Sequence, residues 1–211
     1  MIRNDRVVWA TSMVACGDAD GAVTGNTRRF GASFEKIKQV VDVRKGEIMF
    51  GLNMIVHKGR TIFVGDTSVH EYPTSEQMAE IAISTARVVR LFGFDPKVAF
   101  VSHSTFGQPL TSRTKHIRSA VEILKEKKVD FEFDGDMQPD VALNPEYEEL
   151  YPFAKIVGKA NILIMPGQHS AAISYKLMKT IGDTKVIGPL LIGLGLPIEI
   201  APLRSSTSEI L

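Results

Sequence analysis

The chain is 211 residues long, 44% hydrophobic and 23% charged, with a formal net charge of +1. That supplies a full core for one or two domains, and the near-neutral balance excludes a surface built chiefly for nucleic-acid phosphates, which demands a basic excess. One cysteine, Cys16, excludes an internal disulfide and a cysteine-rich metal site and fits a reducing cytoplasm; among apolar neighbours it reads as a small core residue rather than a nucleophile.

The opening Met1-Ile2-Arg3-Asn4-Asp5-Arg6 lacks the charged-then-apolar pattern of a signal peptide. The longest apolar run, residues 186–196, is broken by glycines and Pro189 and is too short for a membrane span. A soluble, cytoplasmic protein is the expectation.

Asn4 or Asp5 can cap a first helix that carries Val7, Val8, Met13 and Val14 on its buried side and ends at Gly17. A short strand then runs into Gly25. From Ser33 as N-cap, the apolar residues Phe34, Ile37, Val40 and Val41 recur at helical spacing. Residues 48–56 and 60–65, rich in β-branched and aromatic side chains and joined by His57-Lys58-Gly59, read as a hairpin. A long helix over 74–92 faces Met78, Ile81, Ala82, Thr85, Ala86 and Val89 inward. A strand over 97–101, a helix from Thr111 or Ser112 and a strand over 129–133 follow. Strand 161–165 and helix 170–181 repeat the alternation, and the buried segments 186–193 and 196–200 close the chain. Strands alternating with helices argue a three-layer α/β/α fold around a mainly parallel sheet, with an antiparallel hairpin added.

Glycine, serine and aspartate punctuate the junctions where strands hand over to helices, the places where open α/β sheets bind ligands. Ser102-His103-Ser104-Thr105-Phe106-Gly107 is such a junction. Its hydroxyls and backbone suit a phosphate or carboxylate, and they suit equally a connecting loop that caps the next helix. That helix carries Arg113, Lys115, His116, Arg118, Lys125, Lys127 and Lys128, a face for nucleotide phosphates or simply a solvated surface. Asp18, Asp20, Asp134 and Asp136 can be drawn as a hard-metal cage, but aspartates beside glycines form turns and no spacing brings the four together. His70-Glu71 lacks the second histidine of a zinc motif, and Ser170 after His169 reads as a helix cap.

In order along the chain, residues 17–25, 102–107, Asp134-Gly135-Asp136 with Gln138 and 140–142, residues 159–166, Tyr175-Lys176 and residues 188–197 resemble the motifs of the phosphate acetyltransferase (phosphotransacetylase) family. A closer likeness is to the C-terminal phosphotransacetylase-like domain of large bacterial NADP-dependent malic enzymes. Thr27-Arg28-Arg29-Phe30, Val64-Gly65-Asp66-Thr67, His70-Glu71, Phe94-Asp95-Pro96, Ser104-Thr105-Phe106-Gly107 and residues 129–132, 142–145 and 150–153 carry it.

The resemblance implies a two-domain architecture like that of isocitrate and isopropylmalate dehydrogenases, with acetyl-CoA and phosphate in the cleft between domains. Residues 1–45 and 187–211 would form part of a first domain, and residues 46–186 the second. Family sequence would continue before Met1 and after Leu211, so the first domain is expected to be incomplete. By the same resemblance, Ser102, Ser104, Thr105, Gly107, Lys176, Thr24 and Gly25 are candidate acetyl-CoA or anion-binding residues. Lys176 reads equally as a residue solvating its helix face.

Departures from the family pattern decide the expected activity. Glu35 and Thr180 stand where active enzymes keep arginines, Pro202, Leu203 and Glu209 where they carry a Ser-Arg pair followed by an aspartate, and Phe106 where they carry a lysine. Transfer of acetyl between CoA and a phosphate dianion depends on fixed cations, and losing a preorganised partner costs orders of magnitude in rate. The expectation is a non-catalytic module with no metal of its own. It would bind acetyl-CoA as a regulator and assemble as a homodimer or higher oligomer. NADP and a divalent metal would belong to N-terminal malic enzyme domains outside this sequence. The rival expectations are an active phosphate acetyltransferase, with Arg28, Arg29 or Lys36 replacing the missing arginines, and a purely structural dimerisation domain.

Overall fold

The computed structural model describes residues 4–210; residues 1–3 and Leu211, assigned above to the first domain, lie outside the described residues. Asp5 caps α1 (Arg6–Cys16), its carboxylate accepting from the Val7 amide at 2.9 Å, and Gly17 ends it at φ 81°. The buried stripe is Val7, Val8, Thr11 and Val14 rather than the expected set, because Thr11 satisfies its hydroxyl on the Val7 carbonyl at 2.7 Å. Met13 is 37% exposed, and Cys16, expected in the core, is exposed.

β1 (Ala22–Gly25) leads to α2 (Phe30–Ile37), which starts at Phe30 and not at Ser33. Ser33 sits inside the helix, fully buried, and its hydroxyl has no partner. β2 (Phe50–His57) and β3 (Arg60–Gly65) form the expected hairpin, with Lys58 and Gly59 both at positive φ (47° and 79°), the pairing a tight two-residue turn requires. Thr74 and Gln77 make a reciprocal capping box for α3 (Ser75–Leu91). β4 (Lys97–Val101) precedes α4 (Ser112–Lys127), which Thr111 caps. The next strand, β5, spans Glu132–Met137 instead of 129–133, which takes Asp134, Gly135 and Asp136 out of a turn and into the sheet. After α5 (Pro139–Leu143) and β6 (Ile162–Ile164), α6 (Gln168–Ile181) opens on Gly167; Ser170, expected as its cap, lies within it and returns its hydroxyl to the Gly167 carbonyl at 2.8 Å. β7 (Lys185–Ile192), β8 (Ile198–Ala201) and the short α7 (Thr207–Ile210) follow.

Six strands form one sheet in the order β5-β4-β6-β3-β2-β7, parallel except for β2, which runs antiparallel to both neighbours. Period-2 alternation sends Phe63, Val98, Phe100, Ile162 and Ile164 to a core under α3 and α4, and Val64, Ala99, Val101, Leu163 and Met165 to a second core under α5 and α6. This is the expected mainly parallel α/β/α sandwich. A parallel pair, β1 with β8, packs with α1 and α2 around Phe34, Ile37, Ile198 and Ile200, and joins the large sheet through Met49, Leu191 and Leu194. β7 spans the domain boundary placed at 186/187, since it pairs with β2 as far as Ile192. Among the described residues no helix is long and apolar enough to cross a membrane.

Candidate functional site

At the carboxyl ends of β4 and β5 the loop 102–107 folds onto Asp136, a fully buried carboxylate. Ser104 donates its hydroxyl to Asp136, and the Gly107 amide donates to the same carboxylate at 3.0 Å. The Ser102 and Ser104 hydroxyls lie 3.1 Å apart, and Thr105 accepts from the Gln138 amide at 3.3 Å. Ser102, Ser104, Thr105 and Gly107 are therefore brought together, all buried, with their polar atoms facing the protein. Gly107 has φ 83°, the left-handed region that favours glycine, and the Arg118 guanidinium lies against it.

Thr24 and Gly25 lie apart from that loop. They line a cavity of about 320 Å³ at the ends of β1 and β8, with Arg6, Asn26, Thr27 and Arg28. Gly25, at φ 93°, lies against the Ala201 backbone so closely that a side chain would collide with it, and the Thr24 hydroxyl donates to the Glu199 carbonyl at 3.4 Å. Arg28 is held by Asp5 at 3.0 Å.

Lys176 lines a further cavity, of about 180 Å³, with Tyr175, Lys179, Gly188, Pro202 and Glu209. Residues of the segment 201–210 line both cavities, Ala201 and Ile210 the first, Pro202, Ser205 and Glu209 the second. Glu209 bonds Lys179 at 2.8 Å and also accepts from the Ser206 amide. The Lys179 ammonium, with the Ser206 donors behind it, holds the Glu209 carboxyl down to about 2. Burial raises the Tyr175 hydroxyl beside it. Glu199, on β8, is pushed up to about 7 by burial, against the pull of the Leu191 amide it accepts from at 2.8 Å.

Two of the altered positions, Pro202 and Glu209, thus line one cavity, and a third, Thr180, lies one turn along α6 from Lys176. Thr180 spends its hydroxyl on the Lys176 carbonyl at 2.8 Å. Leu203 is 53% exposed. Glu35 points to solvent and pairs with Lys38 at 2.8 Å. Phe106, at φ 49°, stacks its ring edge-on against Phe153, with centroids 4.9 Å apart.

Among the described residues no group of three or more His, Cys, Asp or Glu side chains could hold a metal ion. Asp134 accepts from the Gly135 and Lys155 amides at 2.9 Å, so it and Asp136 are structural acceptors within a strand. Sequence reasoning missed two further polar organisers. Asp66, almost fully buried, accepts from the Gly51, Ser68, Val69 and His70 amides and from His70 Nδ1 at 2.7 Å, which fixes the loop after β3. Lys179 was invisible because its partner, Glu209, is 30 residues away.

A sheet parallel except for one strand, with the polar loops at its carboxyl edge and a smaller α/β unit beside it, defines a phosphotransacetylase-like fold. A crystal structure of a phosphotransacetylase from Streptococcus pyogenes superimposes on it with a TM-score of 0.89 at 29% identity, over 96% of this chain and 63% of that one. Residues 1–211 match the family described as phosphate acetyl/butaryl transferase, and the chain belongs to that family. It is 44% identical over its whole length to a region of the NADP-dependent malic enzyme of Rhizobium meliloti (strain 1021), and 31% identical to the phosphate acetyltransferase of Bacillus subtilis (strain 168) over 92% of the chain. The chain spans 28% of the length of that malic enzyme and 61% of that transferase. It is homologous to the phosphotransacetylase-like C-terminal region of NADP-dependent malic enzymes.

Proposed function

We propose that the chain is the phosphotransacetylase-like module of a cytoplasmic NADP-dependent malic enzyme, that it binds acetyl-CoA as a regulator without turning it over, and that it helps assemble a homo-oligomer. The observation that carries the reading is the cavity beside Lys176. Pro202 lines it where the resemblance calls for the serine that would hydrogen-bond the CoA thiolate, and its second cation, Lys179, is neutralised by Glu209. Acyl transfer to phosphate needs an array of uncompensated cations and a group to handle the CoA thiolate; among the described lining residues only the Lys176 cation is unpaired, and Pro202 offers the thiolate no hydrogen bond. Lys176 forms no ion pair among the described residues and remains to meet an anionic ligand, and Thr24 and Gly25 line the neighbouring cavity. A ligand that prefers one quaternary arrangement shifts the population by its differential affinity, which is all that regulation of distant malate oxidation requires. NADP and the divalent metal of that oxidation belong, in this reading, to the N-terminal domains of the parent enzyme.

Assembly is supported by α6, which buries only Ala171 and leaves Ile173, Leu177 and Ile181, four residues apart on one stripe, at 59%, 54% and 83% exposure. The same stripe is what the purely structural reading rests on, and acetyl-CoA binding separates the two. The direct test supplies CoA and acetyl phosphate and follows thioester formation against an active phosphate acetyltransferase. No thioester above the protein-free rate is expected; turnover would make the chain a transferase.

A further inference from the structure

A cavity of about 230 Å³ lies between Phe106 of the 102–107 loop, α4, residues 133–135 of β5 and the segment around Phe153. Its apolar wall is Phe106 and Phe153, and Phe153 is 69% exposed although its ring packs edge-on against Phe106, while Tyr151 backs the pair at 5.5 Å from Phe106. An aromatic ring held by two others but open to solvent on one side is a stacking platform.

The opposite wall carries the basic residues of α4 that the sequence singled out. Lys125 is committed to Glu122 at 2.8 Å. Arg118 is not: it forms no ion pair among the described residues, rests against Gly107 and donates only to the Phe106 carbonyl, at 3.4 Å. Lys155 is likewise without an ion pair among the described residues, although its backbone amide is fixed on Asp134 at 2.9 Å. Two cations with unspent donors therefore flank a ring face. The Asp134 carboxylate on the same wall accepts from two backbone amides and keeps its charge, but with Lys125 paired to Glu122 the two cations outnumber it and the lining stays net positive.

We infer that this cavity binds a nucleoside diphosphate, the base stacked on Phe153 and the phosphates between Arg118 and Lys155. A free anion would use only the cations and an apolar ligand only the rings; a nucleotide uses both. The inference does not rest on the regulatory reading of the cleft beside Lys176.

Calorimetric titration of ADP into the full chain tests it, with adenosine and inorganic pyrophosphate as the two halves. Saturable ADP binding at least about tenfold tighter than either half is expected. Phe153→Ala should weaken ADP about tenfold while leaving pyrophosphate unchanged, Lys155→Ala should weaken both, and Lys58→Ala, on the hairpin turn, should alter neither. Absence of saturation at millimolar ADP overturns the inference, as does ADP affinity unmoved by both site variants, or pyrophosphate binding as tightly as ADP. Because acetyl-CoA itself carries an ADP unit, variants of each cavity keep the two sites apart: ADP binding weakened by Phe153→Ala and unmoved by Lys176→Ala supports this inference, and ADP binding weakened by Lys176→Ala alone defeats it without touching the reading of the cleft.

Discussion

Lys179 on α6 and Glu209 on α7 meet at 2.8 Å across the cavity that Lys176 lines, tying the C-terminal helix to the large domain. Because the carboxyl is held at about 2, below its ordinary 4.5, the pair supports folding above the unfolded value and loses that support as pH falls toward 2. At neutral pH the carboxylate also cancels a cation that an anionic effector would otherwise meet. Glu209→Gln should free Lys179 and tighten acetyl-CoA binding a few-fold, up to about fivefold, the range of an exposed ion pair. Unchanged or weaker binding in calorimetry would place the effector away from this cavity.

Asp136 should be the polar residue least tolerant of change. It is fully buried and accepts from the Ser104 hydroxyl and the Gly107 amide, so Asp136→Asn replaces one acceptor with a donor facing a donor. A loss of about 3 kcal/mol in urea unfolding is expected, with Ser104→Ala costing about half as much. Equal and small losses would mean that the loop does not depend on this carboxylate.

Glu199 gives the fold a pH dependence of opposite sign. Burial raises its carboxyl from 4.5 to about 7, so the folded state holds the proton more tightly than the unfolded one. Its contribution is full below about 4.5 and is lost as pH climbs to about 7, a decline of roughly 3 kcal/mol. Glu199→Gln keeps an acceptor for the Leu191 amide and should flatten that decline, leaving the variant more stable than the parent at pH 8 and nearly equal to it at pH 4. Parallel stability curves for the two proteins would refute the assignment.

If the stripe on α6 is an interface, a charge in its centre should break it without harming the fold. Leu177 is 54% exposed in the single chain. Leu177→Glu should shift sedimentation toward the monomer, with the thermal transition of the monomer itself changed by no more than about 0.5 kcal/mol. An oligomer that survives the substitution would have to use another face.

The sequence made the regular parts legible. α3 and β4 fall where the helical and alternating periods put them, since the Thr74 cap and the hydrophobic pattern agree with the packing. Legibility failed where a partner lies far along the chain. Residues 134–136 look like a turn locally, yet Gly135 packs against Phe100 with no space for a side chain and Asp136 finds its donors on the 102–107 loop, so the strand continues through them. Gly167, not Ser170, opens α6 because the backbone there must pass against the Glu71 carbonyl. The candidate site followed the same rule. Thr24, Gly25, Lys176 and the 102–107 loop were picked out by composition and resemblance, but their separation into distinct cavities, the inward turn of the loop hydroxyls and the pairing of Lys179 with Glu209 are tertiary facts.

Acetyl-CoA should be bound by the protein and left intact. Equilibrium dialysis of acetyl-labelled acetyl-CoA against the protein in phosphate buffer, followed by identification of the labelled species, tests both halves at once. Label retained with the protein and recovered entirely as acetyl-CoA is the predicted result. Label recovered as acetyl phosphate, or no retention at all, would contradict it.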